Sequence, residues 1–484
     1  MAGTLRQIIE QGPGSFDPAP GAPGAADLFG DAGGVLRDLG NTGADDAVLT
    51  INSVINDYLI VLMVSFLVTL LITPLVRRVA IRAEVVDWPD QGRKAHREPV
   101  AYLGGVAVFG GLMAGIITSY LIASYQPGLA TVPLNIIIAM AIIMFSGLFD
   151  DIFHWDPNLK IGLQFAAAAV LALDEQIGGR VAAGLLHPVE LFVRSATADA
   201  DFTLTAFDIL PGSAVFEINV VYWAGAIIIG AFVLGGCNSA NLVDGLDGLL
   251  TGLIAVMAAS LLIITLVVAA MFPHLAGNLT GTRVVLCFAL LGAALGFLPH
   301  NFKPATIFLG DAGSLLMGFV VIVIILLLGE TGFTHLLFAG LIVYGVPILD
   351  TTLAIIRRRL NRMPISAPDD NHLHHMLKRT RLGTVGAVFV LYGVSVAFSG
   401  VALLLVLLRA RVVYALVVIL AGFIVVIGVK AARRKQQAAE VGDLAATRRG
   451  HTSPARPSPA TQRPPAIPHP RAAPLTDLPA SKSL

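Results

Sequence analysis

The chain is poor in charge. Asp, Glu, Lys and Arg make up 13% of its 484 residues, about half the share that soluble globular domains carry. It is also nearly free of cysteine. Cys237 and Cys287 both lie at or in apolar runs, so neither a disulfide framework nor a thiolate metal site is expected. No Gly-x-x-x-x-Gly-Lys-Ser/Thr phosphate loop and no Gly-x-Gly-x-x-Gly dinucleotide turn occurs, which leaves ATPase and Rossmann readings without support. Basic and acidic residues balance at 32 each, so net charge identifies no partner, and no nucleic acid is expected. The start of the chain lacks the charged-then-apolar form of a signal peptide, and insertion is expected to rely on the first span.

What the chain has instead is apolar length. Hydrophobic residues reach 56%, gathered into runs of about 20 that read as membrane spans. The runs fall near 57–76, 102–122, 132–149, 159–177, 220–236, 249–272, 284–298, 315–328, 333–356, 385–408 and 412–429. Backbone groups in lipid must be satisfied internally, so the spans should be helices. The expectation is an all-α polytopic membrane protein of about eleven transmembrane helices over residues 56–430. Residues 1–55, rich in Gly, Ala, Pro and Asp, and 431–484, rich in Pro, Ala, Ser and Arg, are expected to be disordered tails.

Lys and Arg set the orientation. The loop 77–100 holds Arg77, Arg78, Arg82, Arg93, Lys94 and Arg97, and the loop 357–383 holds Arg357, Arg358, Arg359, Arg362, Lys378, Arg379 and Arg381. Lys430, Arg433, Arg434 and Lys435 follow the last run. An odd number of spans puts all three clusters on one side, the cytoplasm, with the N-terminus outside and the C-terminus cytoplasmic.

Every loop on that side holds polar side chains suited to chemistry. The first reads Asp87-Trp-Pro-Asp-Gln-Gly-Arg-Lys94-Ala-His96-Arg, and the second begins Asp150-Asp151. The third reads Asn238-Ser-Ala-Asn241-Leu-Val-Asp244-Gly-Leu-Asp247-Gly. The fourth runs from Asn301 through Lys303-Pro304 to Gly310-Asp311-Ala-Gly-Ser314, and the fifth ends His372-Leu-His374-His375. The outer loops show no comparable clusters. Adjacent carboxylates at Asp150 and Asp151 point about 100° apart on a continuing helix and can share one ligand only where the helix ends. Such a pair suits a hard cation with oxygen ligands, such as Mg²⁺, with Mn²⁺ as an alternative. A water-facing helix end would also hold such a pair, and a plain membrane-edge turn would also place Asp311 between glycines. The histidines admit zinc, a solvated cluster or anion binding beside Arg357–Arg359, whose guanidinium forks match phosphate oxygens; the spacing lacks a clear third zinc ligand. Asp350 lies inside the ninth run and should face the bundle interior. Acidic motifs, histidines and cations at one membrane face imply a metal ion and a phosphorylated substrate, and the setting implies a lipid as the second substrate.

Taken together, the motifs resemble the polyprenyl-phosphate N-acetylhexosamine-1-phosphate transferase family, of glycosyltransferase family 4 type. The resemblance rests on Asp87-x-Pro with Arg93-Lys94-x-His96, Asp150-Asp151, Asn241-x-x-Asp244-Gly-x-Asp247-Gly, Asn301 to Ser314 and His372-x-His374-His375, and covers roughly residues 55–430. The first loop resembles the branch that uses UDP-N-acetylglucosamine more than the branch that transfers phospho-muramoyl-pentapeptide. Ala312 stands where Thr is usual, Leu373 where Ile is usual, and the loop near 178–217 is longer than expected. The resemblance implies transfer of N-acetylglucosamine-1-phosphate from a UDP-sugar to undecaprenyl phosphate with release of UMP, a first membrane step in cell-envelope polysaccharide synthesis. It implies that Asp311 ligates Mg²⁺, with Asp150 or Asp151 completing or orienting the site. Asn241, Asp244, Asp247, Asn301 and Lys303 become nucleotide- or phosphate-side residues, and Lys94, His96, Arg357, His372, His374 and His375 contacts to phosphate or sugar. A homodimer is left open. Rival readings are a phospho-muramoyl-pentapeptide or other UDP-N-acetylhexosamine transferase, a transporter with midplane charges, and an assembly factor without catalysis.

Overall fold

A computed structural model describes residues 43–407 apart from 88–98, 126–130, 175–176, 179–202, 207–215, 272–277, 330–333 and 365–371. Both expected tails lie largely or wholly outside these residues, as do most of the 178–217 loop and the run at 412–429. In chain order the elements are α1 (Gly43–Arg82), β1 (Val86–Asp87), β2 (Val100–Ala101), α2 (Gly104–Tyr125), α3 (Leu134–Phe153) and α4 (Pro157–Ala172). There follow β3 (Thr203–Ala206), β4 (Phe216–Asn219), α5 (Val220–Val243), α6 (Leu249–Met271), α7 (Asn278–Asn301) and α8 (Gly310–Leu328). The last four are α9 (Thr334–Val343), α10 (Gly345–Leu360), α11 (Leu373–Lys378) and α12 (Gly383–Leu407). The helix backbone of α1 thus starts at Gly43, inside the stretch that composition assigns to the tail.

The protein is an all-α polytopic membrane bundle with two small antiparallel ribbons, β1–β2 and β3–β4. Among the described residues, eight helices are long and apolar enough to cross a membrane, or nine if α9 and α10 form one broken span. A tenth expected span corresponds to α4, whose 16 residues are fewer than the roughly 20 of a usual crossing but carry the chain from the end of α3 to the level where α3 and α5 begin, where Asn135 Nδ2 donates to Asp174 Oδ2 and Tyr222 Oη to the Ala172 carbonyl, each at 2.9 Å. Between α9 and α10 the axis turns by 76°. The cause is local: Pro347 has no N–H to give the carbonyl four residues back, and Gly345 weakens the helix beside it.

At the centre stands α8. Of its apolar window 94% is buried, against 22% for α1 and 28% for α12. Its sides pack on α2, α3, α5, α6, α7 and α9. Every residue from Ala312 to Leu328 is buried, the pattern of a helix that is hydrophobic all round and enclosed by protein. Close approach at its first turn needs glycine. A Cβ at Gly105 of α2 would lie 2.2 Å from the backbone nitrogen of Gly313, and one at Gly147 of α3 would lie 2.4 Å from the Cα of Ala312. At the opposite end the fully buried Arg283 of α7 donates through Nη1 to the carbonyl of Leu327 at 2.6 Å, satisfying a terminal acceptor that a helix leaves open.

The chain leading into α8 is stitched to its surroundings. Ala101 forms a parallel bridge with Ile307, and the amides of Gly104 and Gly105 donate to the carbonyls of Phe308 and Leu309 at 3.0 and 2.8 Å. Arg77 Nε of α1 donates to the Thr306 carbonyl at 2.9 Å. The 301–309 turn, with a cis Lys303–Pro304 bond, is thus held from α1, the β1–β2 ribbon and, as shown below, the 244–248 loop.

Candidate active site

Three helix ends meet at Asp311. It occupies the first turn of α8, and Asp150 and Asp151 close the last turn of α3. Asn241 lies in the last turn of α5. Asn241 Nδ2 donates to Asp311 Oδ1 at 2.8 Å and to Ser314 Oγ at 2.9 Å. The other oxygen of Asp311 takes the ammonium of Lys160, which also reaches Asp150 Oδ2 at 3.2 Å. Lys160 comes from the first turns of α4, which Asp156 starts by accepting the amide of Asn158 at 2.7 Å, a usual N-cap contact. Farther along α4, Gln164 Oε1 accepts from Asn238 Nδ2 at 2.7 Å, locking α4 to α5. Lys160 was not among the residues singled out from the sequence, although a lone cation near the start of an apolar run was there to be read as a functional signal.

Asp151 has a different task from Asp150. Its two carboxylate oxygens accept the backbone amides of Asp311 and Ala312 at 2.8 and 3.0 Å. The residue preceding α8, Leu309, offers no side-chain cap of its own, so Asp151 caps the helix from a neighbouring one. A carboxylate at a helix N-terminus is favoured by the exposed amides and by the helix dipole. Gly310 makes room for it. Its φ is +73°, and a Cβ there would lie 2.6 Å from Asp151 Oδ2. Asp150 thus faces Lys160 and Asp311, while Asp151 fixes the turn that bears Asp311.

The donor set fits a divalent cation. Asp150 and Asp311 direct hard oxygens at one positive centre, the Lys160 ammonium. Mg²⁺ is commonly held by one or two carboxylates with substrate phosphates supplying further oxygens. Among the described residues, no group of three or more His, Cys, Asp or Glu side chains forms a protein-only metal cage, so the fit depends on ligands brought by substrate.

The 244–248 loop borders this centre. Asp244 follows the end of α5, and burial, then the charges of Asp311, Asp151 and Asp247, push its carboxyl up to about 8. Asp247 Oδ2 accepts the amide of Ala305 at 3.2 Å and so ties this loop to the 301–309 turn. Asn301 is buried, accepting from Thr251 Oγ1 at 2.8 Å and donating to the Ile307 carbonyl at 3.2 Å. Both ends of its amide serve the turn. Lys303 is exposed on the same turn.

The histidines arrive on α11. His374 is buried with its ring against Gly245, where a Cβ would lie 2.3 Å from Nε2, which brings the histidine motif onto the acidic loop. Burial, then the neighbouring His375, pushes His374 down to about 4, so it is neutral at pH 7. The ring of His375 lies 4.2 Å from that of His374, centroid to centroid. His372 pairs through Nδ1 with Asp350 Oδ2 at 2.9 Å, which places Asp350 inside the bundle as expected. Arg357 is half-buried near the end of α10. Lys94 and His96 lie outside the described residues. The structure thus brings Asp150, Asp151, Asn241, Asp244 and Asp311 into one cluster, adds Lys160, and sets His374 beside it.

A helical membrane bundle with one polar centre built from helix ends defines a class, and comparison with known proteins agrees with it. Residues 133–329, from α3 through α8, match glycosyl transferase family 4, and the chain belongs to that family. It is 32% identical over 341 residues to the probable undecaprenyl-phosphate N-acetylglucosaminyl 1-phosphate transferase of Bacillus subtilis, covering 70% of this chain and 82% of the relative. To the decaprenyl-phosphate N-acetylglucosaminephosphotransferase of Mycolicibacterium smegmatis it is 32% identical over 352 residues, 67% of this chain and 76% of that protein. To the undecaprenyl-phosphate alpha-N-acetylglucosaminyl 1-phosphate transferase of Escherichia coli K12 it is 28% identical over 322 residues, 65% and 74% of the two chains.

Proposed function

We propose that the protein transfers N-acetylglucosamine-1-phosphate from UDP-N-acetylglucosamine to a polyprenyl phosphate, undecaprenyl or of similar length, and releases UMP. The observation that carries this reading is the convergence of Asp150 and Asp311 on Lys160 at one end of the bundle, where two carboxylates and a cation can receive a metal-bound diphosphate. The names of the relatives, N-acetylglucosamine phosphate transferases acting on undecaprenyl or decaprenyl phosphate, favour the same sugar and the same kind of lipid.

The lipid phosphate oxygen attacks the β-phosphorus, the bond from that phosphorus to the bridging oxygen breaks, and UMP leaves with the bridging oxygen. A phosphate monoester has a second pKa of about 6 and is mostly dianionic at pH 7, so no side chain needs to remove a proton first. Bound Mg²⁺ would neutralise charge on the diphosphate. Asp311 and Asp150 would hold it, Asn241 orients Asp311, and Asp151 holds the turn on which Asp311 sits. Lys160, now shared by two carboxylates, is the cation able to swing to a phosphoryl oxygen as negative charge develops. The cationic ends of α1 and α10, with Arg77, Arg78, Arg82 and Arg357–Arg359, support a setting for this face on the cytoplasmic side of the inner membrane, where nucleotide sugars are made.

Purified protein with UDP-N-acetylglucosamine, polyprenyl phosphate and Mg²⁺ should release UMP, and excess chelator should stop it. UDP-N-acetylmuramoyl-pentapeptide should be a poor donor. Release of no UMP under these conditions, or a preference for the pentapeptide donor, would overturn the reading.

A further inference from the structure

Asp350 is charged, buried to 1% exposure and outside the catalytic cluster. It lies on α10, just beyond the 76° break that separates α10 from α9. Both of its oxygens are engaged by one short segment. Oδ2 meets His372 Nδ1 at 2.9 Å, and Oδ1 accepts the amide of Leu373 at 2.8 Å. One carboxylate therefore fixes both an imidazole and the first amide of α11. From there the geometry runs on to the centre. The rings of His372 and His374 are nearly parallel, 5.7 Å apart and inclined by 9°, and His374 rests on Gly245 between Asp244 and Asp247.

We propose that Asp350 is a positioning residue for the transfer reaction, acting through His372: its carboxylate keeps a proton on Nδ1 and thereby presents Nε2 to the substrate side. The inference rests on the transferase reading for its kinetic consequence, but not for its chemistry. A carboxylate has only lone pairs to offer, so the imidazole nitrogen facing it must carry hydrogen. Such a partner fixes both the tautomer and the ring orientation of the histidine it holds.

Asp350→Asn separates positioning from folding. The amide keeps an oxygen for the Leu373 N–H and nearly the same volume, but it turns an N–H toward Nδ1 and so forces the proton to Nε2. Full-length protein carrying ¹⁵N-histidine in lipid, with the His372 signal identified by its loss in His372→Gln, reports which nitrogen is protonated. Nδ1 should carry hydrogen in the wild type and lose it in Asp350→Asn. UMP release by Asp350→Asn should fall roughly 10- to 100-fold in kcat, with little change in KM for UDP-N-acetylglucosamine. The double variant Asp350→Asn/His372→Gln should be no slower than His372→Gln alone, because both changes remove one and the same function. Nδ1 still protonated in Asp350→Asn, or losses that multiply in the double variant, would overturn the proposal. If the wild type forms no UMP, the reaction assignment fails, while the nitrogen shifts still decide whether Asp350 sets the tautomer.

Discussion

Asp151 and Asp311 are carboxylates on adjoining helix ends, and their partners divide their roles. Asp311 faces Lys160 and Asn241 with its side chain, while Asp151 accepts two backbone amides. Asp311→Asn should therefore cut UMP release roughly 100- to 1,000-fold, the scale of losing one electrostatic element of a phosphoryl-transfer site, and melt within a few degrees of wild type. Asp151→Ala should also lower the melting temperature, since losing a helix cap costs about 1–2 kcal/mol. Measuring both variants by UMP assay and thermal melting separates the roles; equal melting temperatures would contradict the capping assignment. Asp244 gives a pH test. Its folded-state pKa lies above its unfolded value, so folding favours the protonated form. That contribution is whole below about pH 4 and is lost as pH rises through about 8. Melting temperature should fall across this window, and Asp244→Asn should flatten the fall. The chemistry-bearing carboxylates were legible in the sequence because they sit as charges between long apolar runs. The cap was not, since it exists only when the end of α3 meets the start of α8, and Lys160 was hidden by standing alone.

For the elements, the decisive feature is how closely α2 and α3 approach the first turn of α8. Backbone meets backbone there, with no side-chain end able to give way. Gly147→Ala should push Ala312 and its neighbour Asp311 out of register, and a displacement of about 1 Å can cost about 100-fold in rate. Inserted protein at normal abundance with UMP release near wild type would show that the turn yields without consequence. Most helices could be placed from run length alone, because lipid demands long apolar segments with internally satisfied backbones. Residues 333–356 form one apolar run in which only Gly345 and Pro347 signal the 76° bend between α9 and α10; apolar length hides a bend.

At the scale of the whole molecule, all motif side chains within the described residues lie at one end of the bundle, as the asymmetry of the loops led one to expect. Exposed Lys303 marks that end, and the native Cys237 and Cys287 are fully buried. A Lys303→Cys variant should thus react with a membrane-impermeant maleimide in inside-out vesicles and stay unlabelled in intact cells; labelling of intact cells would reverse the orientation. The burial of α8 carries a consequence for how the enzyme meets different membranes. Hydrophobic mismatch strains the helices that touch acyl chains, through tilt or local thinning. The outer helices α1 and α12, with only 22% and 28% of their apolar windows buried by the described residues, are open to such contact, whereas α8 at 94% is almost wholly enclosed by protein. Changes in bilayer thickness should therefore be absorbed at the rim of the bundle, and Asp311, standing on a helix that lipid does not reach, should keep its place in thin and thick membranes alike.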